Sequence, residues 1–163
     1  MTSPTSFSPT ADAGAALTTY TTSEYALDLP ARWRQLPTPG DNAVTFQSDL
    51  DRAGIFITVD FYEIPADKAQ ATAQRLVDSR LAQHEKQAPG QVDVFDRGTR
   101  RHARGAGLEM HYAAHIANTD VVMTVVYVMP RRVLNLTLAC TARRADALAL
   151  LEAVRAHFRP GLA

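Results

Sequence analysis

The sequence predicts an α+β fold: one domain in which an antiparallel sheet of about six to seven strands packs with two main helices. Three observations carry that expectation. Short segments with period-two alternation of apolar residues recur along most of the chain, two segments carry helical spacing instead, and turn residues separate them at short intervals. A chain of 163 residues can also remove roughly two-thirds of its unfolded surface from water, enough for one core without disulfides or metals.

Residues 1–22 are rich in Thr, Ser, Pro and Ala and bury too little apolar surface to offset ordering entropy, so they read as a disordered N-terminal tail ahead of a domain spanning 23–163. Tyr25, Leu27 and Leu29 then alternate with Ala26 and Asp28 in a first strand that Pro30 stops. Pro30 to Trp33 reads as a tight turn that drops the indole onto the core, and Pro37, Pro39 and Gly40 prolong the loop. Val44 and Phe46 mark a second strand. A third runs from Gly54 to Tyr62, with Ile55, Ile57, Val59 and Phe61 on one face and Phe56, Thr58, Asp60 and Tyr62 on the other.

Pro65 opens a helix to about Gln87, because Ala69, Ala73, Leu76, Val77 and Leu81 recur at three- and four-residue steps, and Pro89-Gly90 ends it. Val92 and Val94 begin a fourth strand, and Arg97 to Arg101 reads as a turn into the fifth. There Leu108, Met110, Tyr112, Ala114 and Ile116 alternate with Glu109, His111, Ala113 and His115 on a less buried face. After a polar hairpin loop at 117–120, the sixth strand, Val121 to Met129, is apolar on both faces except at Thr124, which predicts a central position covered on both sides. A seventh strand points Leu134, Leu136, Leu138 and Cys140 one way. Thr141 is the expected N-cap of a closing helix that runs through Phe158, with Ala147, Leu148, Leu151 and Val154 on its buried stripe.

Composition excludes several functional classes. Seventeen basic and 17 acidic side chains cancel, so no global field draws the chain to nucleic acid or an anionic membrane. The first basic residue is Arg32, which leaves no positive n-region for a secretory signal, and no apolar run approaches the ~20 residues of a spanning helix. The expectation is a cytoplasmic protein with no direct membrane insertion.

Candidate chemistry is sparse. His111 and His115 have the spacing that shares zinc on a helix, but on a strand four residues advance ~13 Å, too far for one metal. Cys140 lies within an apolar alternation and reads as a small buried hydrophobe. The cluster from Arg97 to Arg104 lacks the interleaved aromatics of a single-strand platform and reads as a solvated connection. His84 falls on a helix surface without an evident partner. No phosphate loop, nucleophile elbow or dinucleotide fingerprint occurs. The expectation is a protein that is not an enzyme, with no catalytic residues, no metal, no cofactor and no nucleic-acid partner.

Two short marks, Tyr25-Ala-Leu-Asp-Leu-Pro-Ala-Arg-Trp33 and His157-Phe-Arg-Pro160, together with the order of elements over about residues 24–160, resemble the DcrB-related proteins of the PsbP-like fold superfamily. The resemblance implies an α/β/α sandwich and a non-enzymatic role. Its EagR-type branch further implies a homodimeric cytoplasmic adaptor that shields apolar transmembrane segments of type VI secretion effectors. An apolar helix or segment of a partner protein would then bind Phe56, Tyr62, Val122, Val126 and Val128, which lie opposite the core stripes. The alternative reading is a module that binds a small hydrophobic ligand between the sheet and a helix.

Overall fold

A computed structural model describes residues 16–101, 107–117 and 120–161. Ten strands form within this range: β1 (Leu17–Thr21), β2 (Tyr25–Pro30), β3 (Arg34–Leu36), β4 (Ala43–Ser48), β5 (Ala53–Phe61), β6 (Val92–Arg101), β7 (Leu108–Ile116), β8 (Asp120–Met129), β9 (Arg132–Cys140) and β10 (Phe158–Pro160). The two helices are α1 (Ala69–Gln87), entered through a 3₁₀ turn at Ala66–Lys68, and α2 (Arg144–Ala156). Seven strands make one antiparallel sheet in the order β3-β4-β5-β9-β8-β7-β6, and a smaller sheet has the order β1-β2-β10.

Pleating sends alternate side chains to two separate cores. On one face of the large sheet, Met110, Tyr112, Ala114, Val126, Val128 and Val133 are buried with Ala73 and Val77 of α1. The other face carries the larger core, where Ile55, Ile57, Met123, Val125, Leu134, Leu136 and Leu138 meet α2 and the small sheet. Tyr20 of β1 stacks edge-on against Phe46 of β4 with ring centroids 4.7 Å apart, and Phe158 of β10 lies 5.0 Å from Tyr127 of β8. The product is a single α+β domain layered as an α/β/α sandwich. β8 lies inside the sheet and is buried from Val121 to Met129 except for half-buried Val122, which matches its apolarity on both faces.

Several elements depart from expectation. Leu17–Thr21, assigned to the disordered tail, pair with Ala26–Pro30 of β2 as β1, and Thr19 donates a hydrogen bond to Asp28 at 2.7 Å. Residues 1–15 lie outside the described residues. Arg34–Leu36, placed in a loop, form β3 against β4.

Arg97 to Arg101, expected as a turn, continue β6 against β7. Edge-strand geometry explains the error: the side chains alternate, so Arg97 reaches Asp78 of α1 at 2.9 Å while Arg100 reaches Glu109 on the opposite face at 3.0 Å. His102 to Ala106, including Arg104 of the basic cluster, lie outside the described residues. A bulge at Phe95 shifts the β6 register between Val94 and Asp96 and turns Phe95 toward the larger core.

The closing helix also ends earlier than its apolar spacing predicts. The chain extends after His157, and Phe158–Pro160 pair with Tyr25–Leu27 of β2. Phe158 keeps its buried position because the extended backbone still brings it against Tyr25, at 5.4 Å between ring centroids. The N-cap of α2 is Arg143 rather than Thr141, whose hydroxyl instead donates to Asp120 at 3.2 Å.

Candidate functional site

α1 lies over β7 and β8. A helix is ~10 Å wide and strands stand ~4.8 Å apart, so one helix covers about two strands. On the same face, β9, β5, β4 and β3 carry no covering helix among the described residues.

Cross-strand register defines this open half-face. One row runs Leu36–Thr45–Phe56–Thr137–Thr124–Tyr112–Arg97 across all seven strands, with its last three members at the α1 end. A neighbouring row runs Gln47–Gly54–Ala139–Val122. Phe56 is 38% exposed, Ala139 is exposed, and Leu36, Thr45, Thr137 and Val122 are half-buried. From β4 to β9 these rows are apolar and threonine-rich, while Arg34 of β3 stands opposite Gln47 at the edge and Asp60 emerges on the same face of β5 as Phe56. Beside it, a recess of about 410 Å³ shares Leu36, Thr45, Gln47 and Gly54 with the open face.

A hydrogen-bonded chain leads from α1 into this surface. Tyr112 hydroxyl and His84 Nε2 stand 2.8 Å apart, Thr124 donates to Tyr112 at 3.0 Å, and Thr124 and Thr137 hydroxyls are 3.3 Å apart. With Thr124 donating to Tyr112, the phenol donates onward to a neutral His84. Burial first, and then the positive charge of Arg80, lower the His84 pKa and favour that neutral form. His84 is thus not the partnerless surface residue expected; its partner lies on a strand 28 positions away, which helical spacing could not reveal.

The five expected partner-binding residues divide. Phe56 lies on the open half, Val122 is half-buried on β8 at its border, and Tyr62 is 40% exposed just beyond the end of β5. Val126 and Val128 are 0% and 1% exposed, packed in the core beneath α1, so a partner cannot reach them while that helix stays in place. Strand alternation places Val122, Val126 and Val128 on one face of β8 but cannot tell which part of that face a helix covers.

The other candidates are accounted for within the fold. His111 and His115 lie on β7 and turn to different partners, Asp96 at 3.1 Å and the Arg144 guanidinium at 3.0 Å. Gly98 leaves space for the His111 ring, since a Cβ there would stand 2.8 Å from its Cε1. Cys140 is buried, and burial followed by the charges of Asp120 and Asp51 pushes its thiol up to about 11, which keeps it protonated.

Glu109, expected on the less buried face, is 3% exposed and accepts from Arg155 of α2 at 2.7 Å. It is the acidic centre of the sheet's α2 side, and nothing in the alternation of β7 signalled it. Among the described residues no helix is long and apolar enough to cross a membrane.

No protein-family model matches the sequence, and no curated protein matches it significantly. Solved structures do match. The solution structure of cyanobacterial PsbP (CyanoP) from Synechocystis sp. PCC 6803 superposes with a TM-score of 0.66 at 16% identity, covering 90% of this chain and 93% of that one. The Saccharomyces cerevisiae Ran-binding protein Mog1p gives 0.57 at 8% identity, over 89% and 96% of the two chains. A mutant form of the Mog1 protein gives 0.58 at 8% identity, over 90% and 96%. With near-complete coverage in both directions, these likenesses establish that the chain has the PsbP-like fold.

Proposed function

We propose that this protein is a non-enzymatic adaptor that binds an apolar helix of a partner protein along the open half of its large sheet, beside α1. The observation that carries the reading is the apolar, threonine-rich surface centred on Phe56 and bordered by Arg34 and Asp60. From β9 to β4 this surface is ~10 Å wide, which is the width of one helix. A helix laid there would complete the layer that α1 begins, and exposed apolar area would leave water at ~25 cal/mol per Å².

Mog1p, described as a Ran-binding protein, supplies an instance of this fold in a protein that binds another protein. The finer form of the proposal follows the EagR-type resemblance: a cytoplasmic homodimer that shields apolar segments of type VI secretion effectors. Phe56, Val122 and Tyr62 are the contact residues in this reading.

Co-purification from the native host tests it. Wild-type protein should recover a protein with apolar helical segments, and Phe56→Asp should lose that protein while keeping the wild-type melting temperature, because Phe56 is already partly in solvent. Recovery of the same partner by both forms would sink the proposal.

A further inference from the structure

A second concavity lies on the opposite side of the large sheet, and no part of the adaptor reading uses it. It is a cavity of about 480 Å³ between α2 and the end of the β1–β2 hairpin. We infer that this cavity is a binding site for a small, neutral, largely apolar molecule carrying one hydrogen-bond acceptor.

Its size falls in the range of ligand pockets, roughly 300–1,000 Å³. The walls explain how it arises. Leu150 and Val154 point α2 into the core, and the same helix turns Ala149 and Ala153 toward the hairpin, where their short side chains leave space facing Leu29 and Trp33. The α2 stretch along the cavity covers about two turns, ~12 Å, which suits a compact molecule rather than a docked helix.

Charge at the rim is already neutralised. Asp28 is held by Arg159 at 2.6 Å, Glu152 by Arg155 at 3.0 Å, and Arg32 by Asp51 at 2.6 Å. A charged ligand would have to compete with these pairs, whereas a neutral one leaves them intact. The wall also offers one polar group. Trp33 is 3% exposed and lines the cavity. The indole N–H of a tryptophan in such a wall can donate to a carbonyl or ether oxygen on a bound molecule.

Trp33 is the only tryptophan in the chain, so the site contains its own reporter. The experiment is a titration with prodan, a neutral naphthyl ketone whose emission shifts to the blue in apolar surroundings and which accepts energy from tryptophan. Saturable binding with blue-shifted prodan emission and quenched Trp33 emission is expected. Ala153→Leu should fill the space and weaken binding roughly tenfold or more. Trp33→Phe, read by prodan emission alone, should weaken it about three- to tenfold through the lost hydrogen bond. If Ala153→Leu fails to fold, Ala149→Leu gives the same readout from the neighbouring turn.

The proposal is overturned by the absence of saturable binding, or by wild-type affinity in both the filled and the Trp33→Phe proteins. It is also overturned if Phe56→Asp abolishes the signal while the filled cavity does not, since the probe would then occupy the open sheet face. Because the two sites lie on opposite sides of the large sheet, loss of partner binding and loss of prodan binding report separately.

Discussion

Glu109 and Arg155 show how much one residue pair can carry. Their side chains are 4% and 3% exposed, Arg155 also holds Glu152 at 3.0 Å, and Arg100 approaches Glu109 from β6 at 3.0 Å. Removing one partner strands a charge in a low dielectric, so Glu109→Ala should cost about 3–5 kcal/mol in urea unfolding. Glu109→Leu combined with Arg155→Met should recover most of that loss, because the uncompensated charge is gone. A small loss for the single variant would show that the pair does not secure α2.

His84 makes a second residue-scale prediction. Its folded pKa is lowered from 6.5, chiefly by burial, so between that lowered value and 6.5 the unfolded chain binds more protons than the folded one. Stability is therefore complete above about pH 6.5 and declines as pH falls through this window. His84→Gln can keep a hydrogen bond to Tyr112 without titrating, and should flatten the pH dependence of the melting temperature between pH 7 and 5. An unchanged slope would remove His84 as its source.

At the scale of elements, β10 is a three-residue strand whose ties to β2 are reinforced by Arg159, which grips both Asp28 carboxylate oxygens at 2.6 and 3.0 Å. That grip, aided by Thr19, pulls the Asp28 pKa down to about 2. A depressed carboxylate stabilises the fold above its unfolded pKa near 3.8, and the contribution is lost as pH falls from there toward 2. Asp28→Asn should be less stable than wild type at neutral pH and converge with it near pH 2, as read by circular dichroism. Parallel acid curves would show that the clamp contributes nothing.

β10 also marks a limit of periodicity. Phe158 lies four residues after Val154, so it fits the apolar stripe of a helix as well as it fits the inward face of a strand. Pairing with β2 decided between them. β1 and β3 were missed for a related reason: each is short, neither has strong alternation of its own, and their neighbours supply the pairing.

Over the whole molecule, two layers of cover are distributed unevenly. The α2 side of the large sheet is closed by a helix and a second sheet, while the α1 side has one helix over two of seven strands. That asymmetry gives the molecule its open face, and the junction of α2 with the small sheet gives it the cavity. Neither feature has a motif. Both arise from where one element stops covering another.

Apolar periodicity reports which side of an element meets the core, and it was enough to yield the fold class, both main helices, the course of most strands in the large sheet and the internal position of β8. It also placed Phe56 and Val122 opposite the core stripe of their strands. Packing in three dimensions was needed to show that Val126 and Val128 lie beneath α1, that His84 meets Tyr112, and that Glu109 is buried with Arg155. Alternation fixes the face on which a side chain emerges, but the element packed over that face comes from a distant part of the chain, and local spacing carries no record of it.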